Sequence, residues 1–210
     1  GRGYFNYERL SDQEKLDLYG EPRGRIEYFL NNYSQTLKYE EGQSFLDAGC
    51  GRGQNIKVLS EYFPNSPIRA FDISEGALDV VRLGVEDHKQ IQIEIGSITD
   101  ANYLDQYPSN GFDHVLVSHV FTFIMHEGEA KTRKLRQSII DNLIRVASKT
   151  VLILGSKDIL QLEVPVFRIE QLHRAHYSES IIPYFKEHHE CGEVTAIFST
   201  DSLGVLFKKN

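Results

Sequence analysis

The chain of 210 residues contains only two cysteines, Cys50 and Cys191, and it lacks any apolar run long enough to cross a bilayer. Two cysteines are too few for a disulfide framework, so we expect a protein of a reducing compartment. The longest apolar stretches, such as Val151–Leu154, have the length of buried strands, and no secretory leader is evident. We therefore predict a cytoplasmic protein with no membrane partner.

Basic residues are also in short supply, with 23 Lys and Arg against 30 Asp and Glu and a formal net charge of −7. A protein that binds nucleic acid through its phosphates needs excess positive charge, so this charge balance argues against a nucleic-acid partner. Arg133, Lys134 and Arg136 lie close together, and on a predicted helix flank we expect them to form a solvated face.

From residue 43 onward, short apolar strands alternate with helical patterns. The predicted strands are Ser44–Ala48, Ile68–Phe71, Gln90–Ile95, His114–Ser118 and Thr150–Leu154, and the predicted helices are Gln54–Tyr62, Glu75–Val85 and Glu129–Ala147. Two last strands, Glu193–Thr200 and Leu203–Lys208, are separated by two residues, which predicts an antiparallel hairpin. The pattern predicts an α/β protein with a doubly wound, seven-stranded, mostly parallel sheet that ends in this hairpin.

The first 43 residues are polar and rich in tyrosine, and we predict that they form an N-terminal helical cap or lid. Ser11 and Glu14 fit the capping box of a short helix that ends at Leu18. Residues 19–22 then break the pattern before a second helix over residues 24–37. Residues 44–210 would form the main domain, with an insert at about residues 157–189 before the terminal hairpin.

The most informative segment is residues 45–53, Phe-Leu-Asp-Ala-Gly-Cys-Gly-Arg-Gly, an apolar strand that ends in an acid and three alternating glycines. Glycine tolerates positive φ angles and lets the backbone lie directly against a ligand. A dinucleotide-binding turn would need its third glycine at position 54, where this chain has Gln54. A nicotinamide-binding domain is therefore disfavoured.

The run from Asp47 to Gly53 instead resembles motif I of the class I S-adenosylmethionine-dependent methyltransferases. The resemblance covers roughly residues 40–155 with specific motifs, and it implies a Rossmann-like methyltransferase fold with S-adenosyl-L-methionine as cofactor and S-adenosyl-L-homocysteine as product. It implies that Gly49, Gly51 and Gly53 approach the methionine portion of the cofactor, with Cys50 a small apolar residue of the same turn. Asp47 would orient the turn or hold the cofactor's ammonium group through water.

The next two strand ends complete the cofactor site that the resemblance implies. Asp72 follows the second strand, and one carboxylate can accept hydrogen bonds from both ribose hydroxyls. Ser74 is the better cap for the following helix, which would leave Asp72 free for the ribose, and we assign the adjacent Ile73 to the same site. After the third strand, Ser97 stands where family members commonly carry an aspartate, and its hydroxyl can still bond the adenine amino group. Ile98 would pack on the adenine face.

Histidine is the natural candidate for a general base, because methyl transfer needs an aligned acceptor and, in some cases, removal of its proton. Residues 111–119 resemble the family's next motif, which would bring Ser118 and His119 beside the reaction centre. His119 is the first candidate, although it would equally suit a place packed under the following apolar segment. His126 and His173 are further candidates, and without an ordered carboxylate partner we predict no metal site.

Tyr19 and Arg23 flank the break at residues 20–22, and we predict that they belong to a lid over the cofactor. An aromatic ring can attract the positive sulfonium, and an arginine can clamp a carboxylate. The alternative is that the aromatic residues seat the cap on the sheet. The insert at about residues 157–189 contains several aromatic residues, among them Phe185, and we expect an aromatic wall of the acceptor pocket there.

The leading hypothesis is methyl transfer from S-adenosylmethionine to an oxygen, nitrogen or carbon nucleophile of a small molecule. The family's Asn-Pro-Pro-Tyr signature for amino groups of bases is absent, since Val117–Val120 stands in its place. A methyltransferase that acts on protein or RNA is the first alternative, and a non-catalytic cofactor-binding partner subunit is an alternative of another class. A homodimer stays open.

Overall fold

The computed structural model of the chain describes residues 6–21, 23, 26–124, 127–156, 185, 192–198 and 202–210. The chain divides into two compact units, Gly1–Ser97 and Ile98–Asn210, here called unit 1 and unit 2. The helices of the leading segment belong to unit 1 together with the first three strands. The separation of residues 1–43 as a cap of their own stays a prediction.

Unit 1 contains three parallel strands in the order β3-β2-β1. The strands are β1 (Phe45–Ala48), β2 (Ile68–Asp72) and β3 (Ile91–Ile95), and the helices described are α1 (Asp12–Leu18), α2 (Ile26–Leu37), α3 (Gln54–Tyr62) and α4 (Glu75–Gly84), preceded by a 3-10 helix (Tyr7–Arg9). Phe45 of β1 pairs with Ile68 of β2, which in turn pairs with Ile91 of β3. This register brings the carboxyl ends of all three strands to one edge.

The core of unit 1 follows from the apolar pattern of these elements. All four residues of β1 are buried, as expected for a strand covered on both faces. On α3 the apolar side chains of Ile56, Val58 and Leu59 are fully buried, and α4 buries Leu78 and Val81 in the same way. The capping box predicted for α1 is present, with the Ser11 side chain accepting from the backbone N–H of Glu14.

Unit 2 contains the remaining strands in the order β4-β5-β7-β6. Its elements are β4 (Phe112–Ser118), β5 (Ala147–Ser156), β6 (Gly192–Phe198) and β7 (Ser202–Lys209), with α5 (Ala101–Asp105), α6 (Glu129–Val146) and a 3-10 helix (Phe121–Phe123). Strands β4 and β5 are parallel, whereas β7 is antiparallel to both β5 and β6. The predicted C-terminal hairpin is therefore confirmed.

The seven strands follow the order β3-β2-β1-β4-β5-β7-β6. The predicted fold class, an α/β protein with a seven-stranded sheet of parallel strands and a closing antiparallel hairpin, is confirmed. Within the part of the chain that the structure describes, no helix combines the length and apolarity that a membrane span requires.

One expectation about α6 is wrong. Arg133 and Lys134 are exposed, but Arg136 is only 1% exposed and does not belong to a solvated face. Its guanidinium donates to the carbonyl oxygens of Phe121 (2.7 Å) and Ile124 (3.0 Å). A buried arginine needs such partners, and here they fix the 3-10 segment that follows β4.

Candidate functional site

The glycine turn between β1 and α3 has the backbone conformation that its sequence predicts. Gly49, Gly51 and Gly53 have φ angles of 82°, 52° and 79°, values that residues with a Cβ atom rarely adopt. The backbone N–H groups of Gly49 and Cys50 both donate to the carbonyl oxygen of Phe71, at 2.8 and 3.0 Å. These bonds tie the turn to the end of β2.

Asp72, at the end of β2, bonds the same turn through its side chain. Oδ2 accepts from the backbone N–H of Gly51 and Oδ1 from that of Ser74, both at 2.9 Å. The predicted role of Ser74 is confirmed, because its hydroxyl caps α4 by accepting from Ala77. We expected the Asp72 carboxylate to be free, but it already accepts these two bonds. A carboxylate has about four acceptor positions, so two remain for a ligand diol.

Two large apolar side chains are exposed around Asp72. Ile73 is 64% exposed and Ile95, which stands opposite Asp72 in the register of β2 and β3, is 57% exposed. Exposed aliphatic groups beside a polar strand end suit a flat apolar ligand such as a purine base. Sequence reasoning missed Ile95, although its place at the end of β3 is the feature that could have found it. Ser97 is half-buried, and Ile98 of unit 2 is buried at 6% exposure.

Asp47 lies entirely inside the protein, two residues before Gly49. Its Oδ1 accepts from Asn55 Nδ2 at 3.0 Å, whereas Asp47 Oδ2 and Asn55 Oδ1 are buried and have no hydrogen-bond partner among the described residues. The pKa of Asp47 is raised to about 7, chiefly by burial, with the hydrogen bond from Asn55 opposing the rise and the nearby charge of Asp72 adding to it. This geometry fits a role in orienting the turn and α3. Burial also raises the pKa of Cys50, in keeping with a small apolar residue.

The structure places Tyr19 against glycines. Its ring contacts the positions where Gly53 and Gly84 lack a Cβ, and Lys57 Nζ lies 5.9 Å from the ring centroid. Burial raises the pKa of the Tyr19 phenol, while a hydrogen bond with Ser60 lowers it. These contacts support the alternative that this aromatic residue seats the leading segment on unit 1, and a contact with the cofactor stays a prediction.

Arg23, which we predicted to clamp a carboxylate of the ligand, binds carboxylates of this chain. Its guanidinium pairs with Glu27 (2.8 Å) and Glu61 (2.6 Å), both acidic side chains of this chain. Glu61 stands in the last turn of α3, seven residues from the helix start and thus about 10 Å along the axis from the glycine turn. These ion pairs hold Arg23 on acidic side chains of unit 1, and a contact of Arg23 with the cofactor stays a prediction.

In unit 2, the candidate base His119 directly follows β4. His119 has a φ of 60°, a left-handed conformation that costs a non-glycine residue on the order of 1–2 kcal/mol. Its backbone N–H donates to Leu154 of β5 at 2.8 Å, next to the pair formed by Ser118 and Leu154. Phe123 follows in the 3-10 helix and is 68% exposed, a feature that sequence reasoning did not single out.

The other candidates lie outside what the structure describes. His126 and His173 fall among the residues left out of the description, as does most of the insert at about residues 157–189. Phe185 is the described residue of that insert, and it is fully buried, with its ring stacked on Phe207 at 5.4 Å. It is therefore a core residue and not part of a pocket wall. Among the described residues no group of three His, Cys, Asp or Glu side chains could hold a metal ion.

Comparison with known proteins points to one class of domain. Residues 46–147 match a family model described as a methyltransferase domain. The malonyl-(acyl-carrier protein) O-methyltransferase of Priestia megaterium (strain DSM 319 / IMG 1521) is 25% identical over 101 residues, which are 48% of this chain and 36% of that protein. The aligned part thus spans about a third of that relative's length.

Solved structures share the fold. A SAM-dependent methyltransferase from Aquifex aeolicus superposes with a TM-score of 0.62 at 16% identity, over 96% of this chain and 100% of that one. An O-methyltransferase family protein from Burkholderia thailandensis gives a TM-score of 0.61 at 11% identity, over 95% of this chain and 56% of that one. At these identities the likeness establishes the fold alone.

Proposed function

We propose, from the premise that residues 46–147 form an S-adenosylmethionine-dependent methyltransferase domain, that this protein methylates an oxygen, nitrogen or carbon nucleophile of a small molecule. The observation that carries the proposal is the bond between the Asp72 carboxylate and the Gly51 N–H, which joins the glycine turn to the acid that we assign to the ribose. The net charge of −7 favours a small acceptor over an RNA acceptor.

The residues around the turn fit the cofactor. When bound, S-adenosylmethionine supplies a methyl group activated by a positive sulfonium. The turn from Gly49 to Gly53 would receive its methionine portion, because its three glycines adopt positive φ angles and the Gly51 position has only one neighbouring heavy atom within 4 Å, Gln54 Oε1 at 3.7 Å. Asp72 would accept from the ribose hydroxyls, and Ile73 would cover the adenine.

On the acceptor side we assign proton removal to His119. Residues held in rare backbone conformations cluster at functional sites, and the left-handed His119 at the end of β4 is such a residue. A neutral imidazole nitrogen would take the proton of an acceptor O–H or N–H as that atom attacks the methyl group. Oxygen is the first acceptor atom to test, since the relative from Priestia megaterium is named as an O-methyltransferase.

The cofactor role of Asp72 is tested by Asp72→Asn, which keeps the shape of the side chain and removes its charge. We expect the Kd for S-adenosylhomocysteine, measured by calorimetry, to rise about tenfold or more, the scale of one charge-assisted hydrogen bond. Asp79→Asn is the matched control, because Asp79 pairs with Arg82 on the surface of α4. An unchanged Kd for the Asp72 variant would refute the ribose assignment.

The base role of His119 is tested by His119→Asn, because asparagine tolerates the left-handed conformation but removes no proton at neutral pH. We expect turnover to fall by 10²–10⁴-fold, the usual contribution of a general base, with the Kd for S-adenosylhomocysteine unchanged. The assay is release of S-adenosylhomocysteine with a panel of hydroxyl, carboxyl and amine compounds. Full activity of the variant would remove His119 as the base.

The same assay separates the alternatives. A non-catalytic partner subunit would bind S-adenosylhomocysteine tightly and release none with any acceptor. A protein or RNA methyltransferase would release it with cell-derived protein or RNA and not with the small-molecule panel. A cytoplasmic location and a homodimer stay predictions, the second to be tested by light scattering.

A further inference from the structure

We infer that Tyr7 is a cofactor-binding residue that covers the nucleoside half of the site next to Asp72. The inference rests on the proposed function for the identity of the ligand, S-adenosylmethionine. It does not depend on which acceptor is methylated or on whether His119 is the base. The sequence predicted a tyrosine-rich lid in this segment, but it was Tyr19 and not Tyr7 that we assigned to the cofactor.

The first argument is the place of the Tyr7 side chain. The 3-10 helix Tyr7–Arg9 packs on α4 at the second residue of that helix, Gly76. A Cβ atom at Gly76 would lie 3.0 Å from Tyr7 Cβ and 3.1 Å from Tyr7 Cδ2. Glycine at this position thus leaves the room that the tyrosine needs. Gly76 stands two residues after Ser74, whose backbone N–H is bonded to Asp72.

The second argument is the charge that surrounds the phenol. Partial burial raises the pKa of Tyr7, the positive charge of Arg52 lowers it, and the negative charge of Asp72 raises it. The pKa of the phenol therefore responds to both charged groups. Arg52 belongs to the glycine turn, and Asp72 bonds that turn through Gly51. The phenol thus responds to the charges of the same turn and strand end that we assign to the cofactor.

This set of groups matches the chemistry of a ribose diol. A protonated phenol offers one O–H donor and an acceptor, and the Asp72 carboxylate keeps acceptor positions for hydroxyl donors. The half-buried ring adds an apolar cover that keeps water from those hydrogen bonds. Because these contacts concern the nucleoside, they are the same for the cofactor and for its demethylated product.

The test compares the affinities of Tyr7→Ala and Tyr7→Phe for S-adenosylmethionine and S-adenosylhomocysteine by calorimetry. For Tyr7→Ala we expect a loss of about tenfold for each ligand, and for Tyr7→Phe a smaller loss, because the ring remains. Tyr62→Ala is the matched control, since that exposed tyrosine bonds Asn31 at the far end of α3. A cation–π contact with the sulfonium would instead weaken the binding of S-adenosylmethionine alone.

Gly76→Ala supplies a second variant that leaves Tyr7 in place. The added Cβ would displace the Tyr7 ring by a few tenths of an ångström, whereas alanine favours the helix, so we expect weaker binding with no loss in melting temperature.

Tyr7→Ala protein that is folded and binds S-adenosylhomocysteine as wild type does would overturn the inference, as would a loss confined to S-adenosylmethionine. Wild-type protein that binds without turnover would contradict the proposed catalysis alone, and wild-type protein that binds neither ligand would contradict both.

Discussion

The ring of Tyr19 occupies the space that two glycines leave open. A Cβ atom at Gly53 would lie 2.7 Å from Tyr19 Cε2, and one at Gly84 would lie 2.3 Å from Tyr19 Cδ1 and Cγ. Gly53 also has a left-handed φ of 79°, so its backbone alone requires glycine. Gly84 is the last residue of α4, and it is the packing of Tyr19 that requires glycine there.

Gly84→Ala therefore tests packing against helix propensity. Alanine favours a helix over glycine by about 1 kcal/mol, but overpacking a filled site costs about 1–3 kcal/mol. We expect the free energy of unfolding, measured in urea, to fall in spite of the better helix former. In a Tyr19→Ala background the same substitution should be neutral or stabilising, and an equal cost in both backgrounds would contradict the packing account.

These contacts explain why single side chains were harder to place than the turn. The positive φ of Gly53 was predictable, because it belongs to a turn formed by residues that are adjacent in sequence. Tyr19 contacts Ser60 and Gly84, and Tyr7 packs at Gly76. Each of these partners is distant in sequence from its tyrosine. Nothing in the local pattern of a polar, tyrosine-rich segment distinguishes a tyrosine beside Asp72 from one seated between helices.

At the scale of elements, local pattern predicts much of the chain. Helix α3 has the predicted bounds, Gln54–Tyr62, because an apolar period and a glycine start determine it. Helix α5 (Ala101–Asp105) was missed, since five residues are too few to show a helical period. Strand β5 extends beyond its predicted range to Ala147–Ser156, because Ala147 pairs with Phe112 of β4 and because Gly155 and Ser156, which do not continue the apolar run, pair with β7.

The capping box of α1 gives a prediction for an element. Ser11→Ala removes the acceptor of the Glu14 backbone N–H and the hydroxyl bonded to the Glu14 carboxylate, which should cost about 1 kcal/mol. The measurement is hydrogen exchange of residues 12–18, where we expect faster exchange than in wild type. Ser138→Ala, at an exposed position in the interior of α6, is the matched control and should leave the exchange of residues 12–18 unchanged, because alanine is the better helix former and no cap is lost. Equal behaviour of the two variants would contradict the capping role.

For the molecule as a whole, two buried titratable groups oppose each other in the pH dependence of stability. Burial raises the pKa of Asp47 from 3.8 to about 7, and burial lowers the pKa of His114 from 6.5 to about 4. His114 is buried against Thr150, with Nδ1 2.8 Å from the hydroxyl oxygen. Between pH 4 and 6.5 the folded state therefore holds a proton on Asp47 that the unfolded state loses, and it lacks one on His114 that the unfolded state binds.

The signs of these two effects predict a cancellation that single substitutions remove. The free energy of unfolding rises with pH where the unfolded state binds more protons, so His114 contributes a rise from pH 4 to 6.5 and Asp47 a fall from pH 4 to 7. Each amounts to a difference on the order of 3–4 kcal/mol across its range. In urea titrations from pH 4.5 to 6.5, Asp47→Asn should gain stability relative to wild type as the pH rises, and His114→Asn should lose it. The double variant should follow the wild-type curve in slope, because both contributions are then absent. Two single variants whose curves run parallel to wild type would show that neither carboxyl nor imidazole titrates across this range as its burial requires.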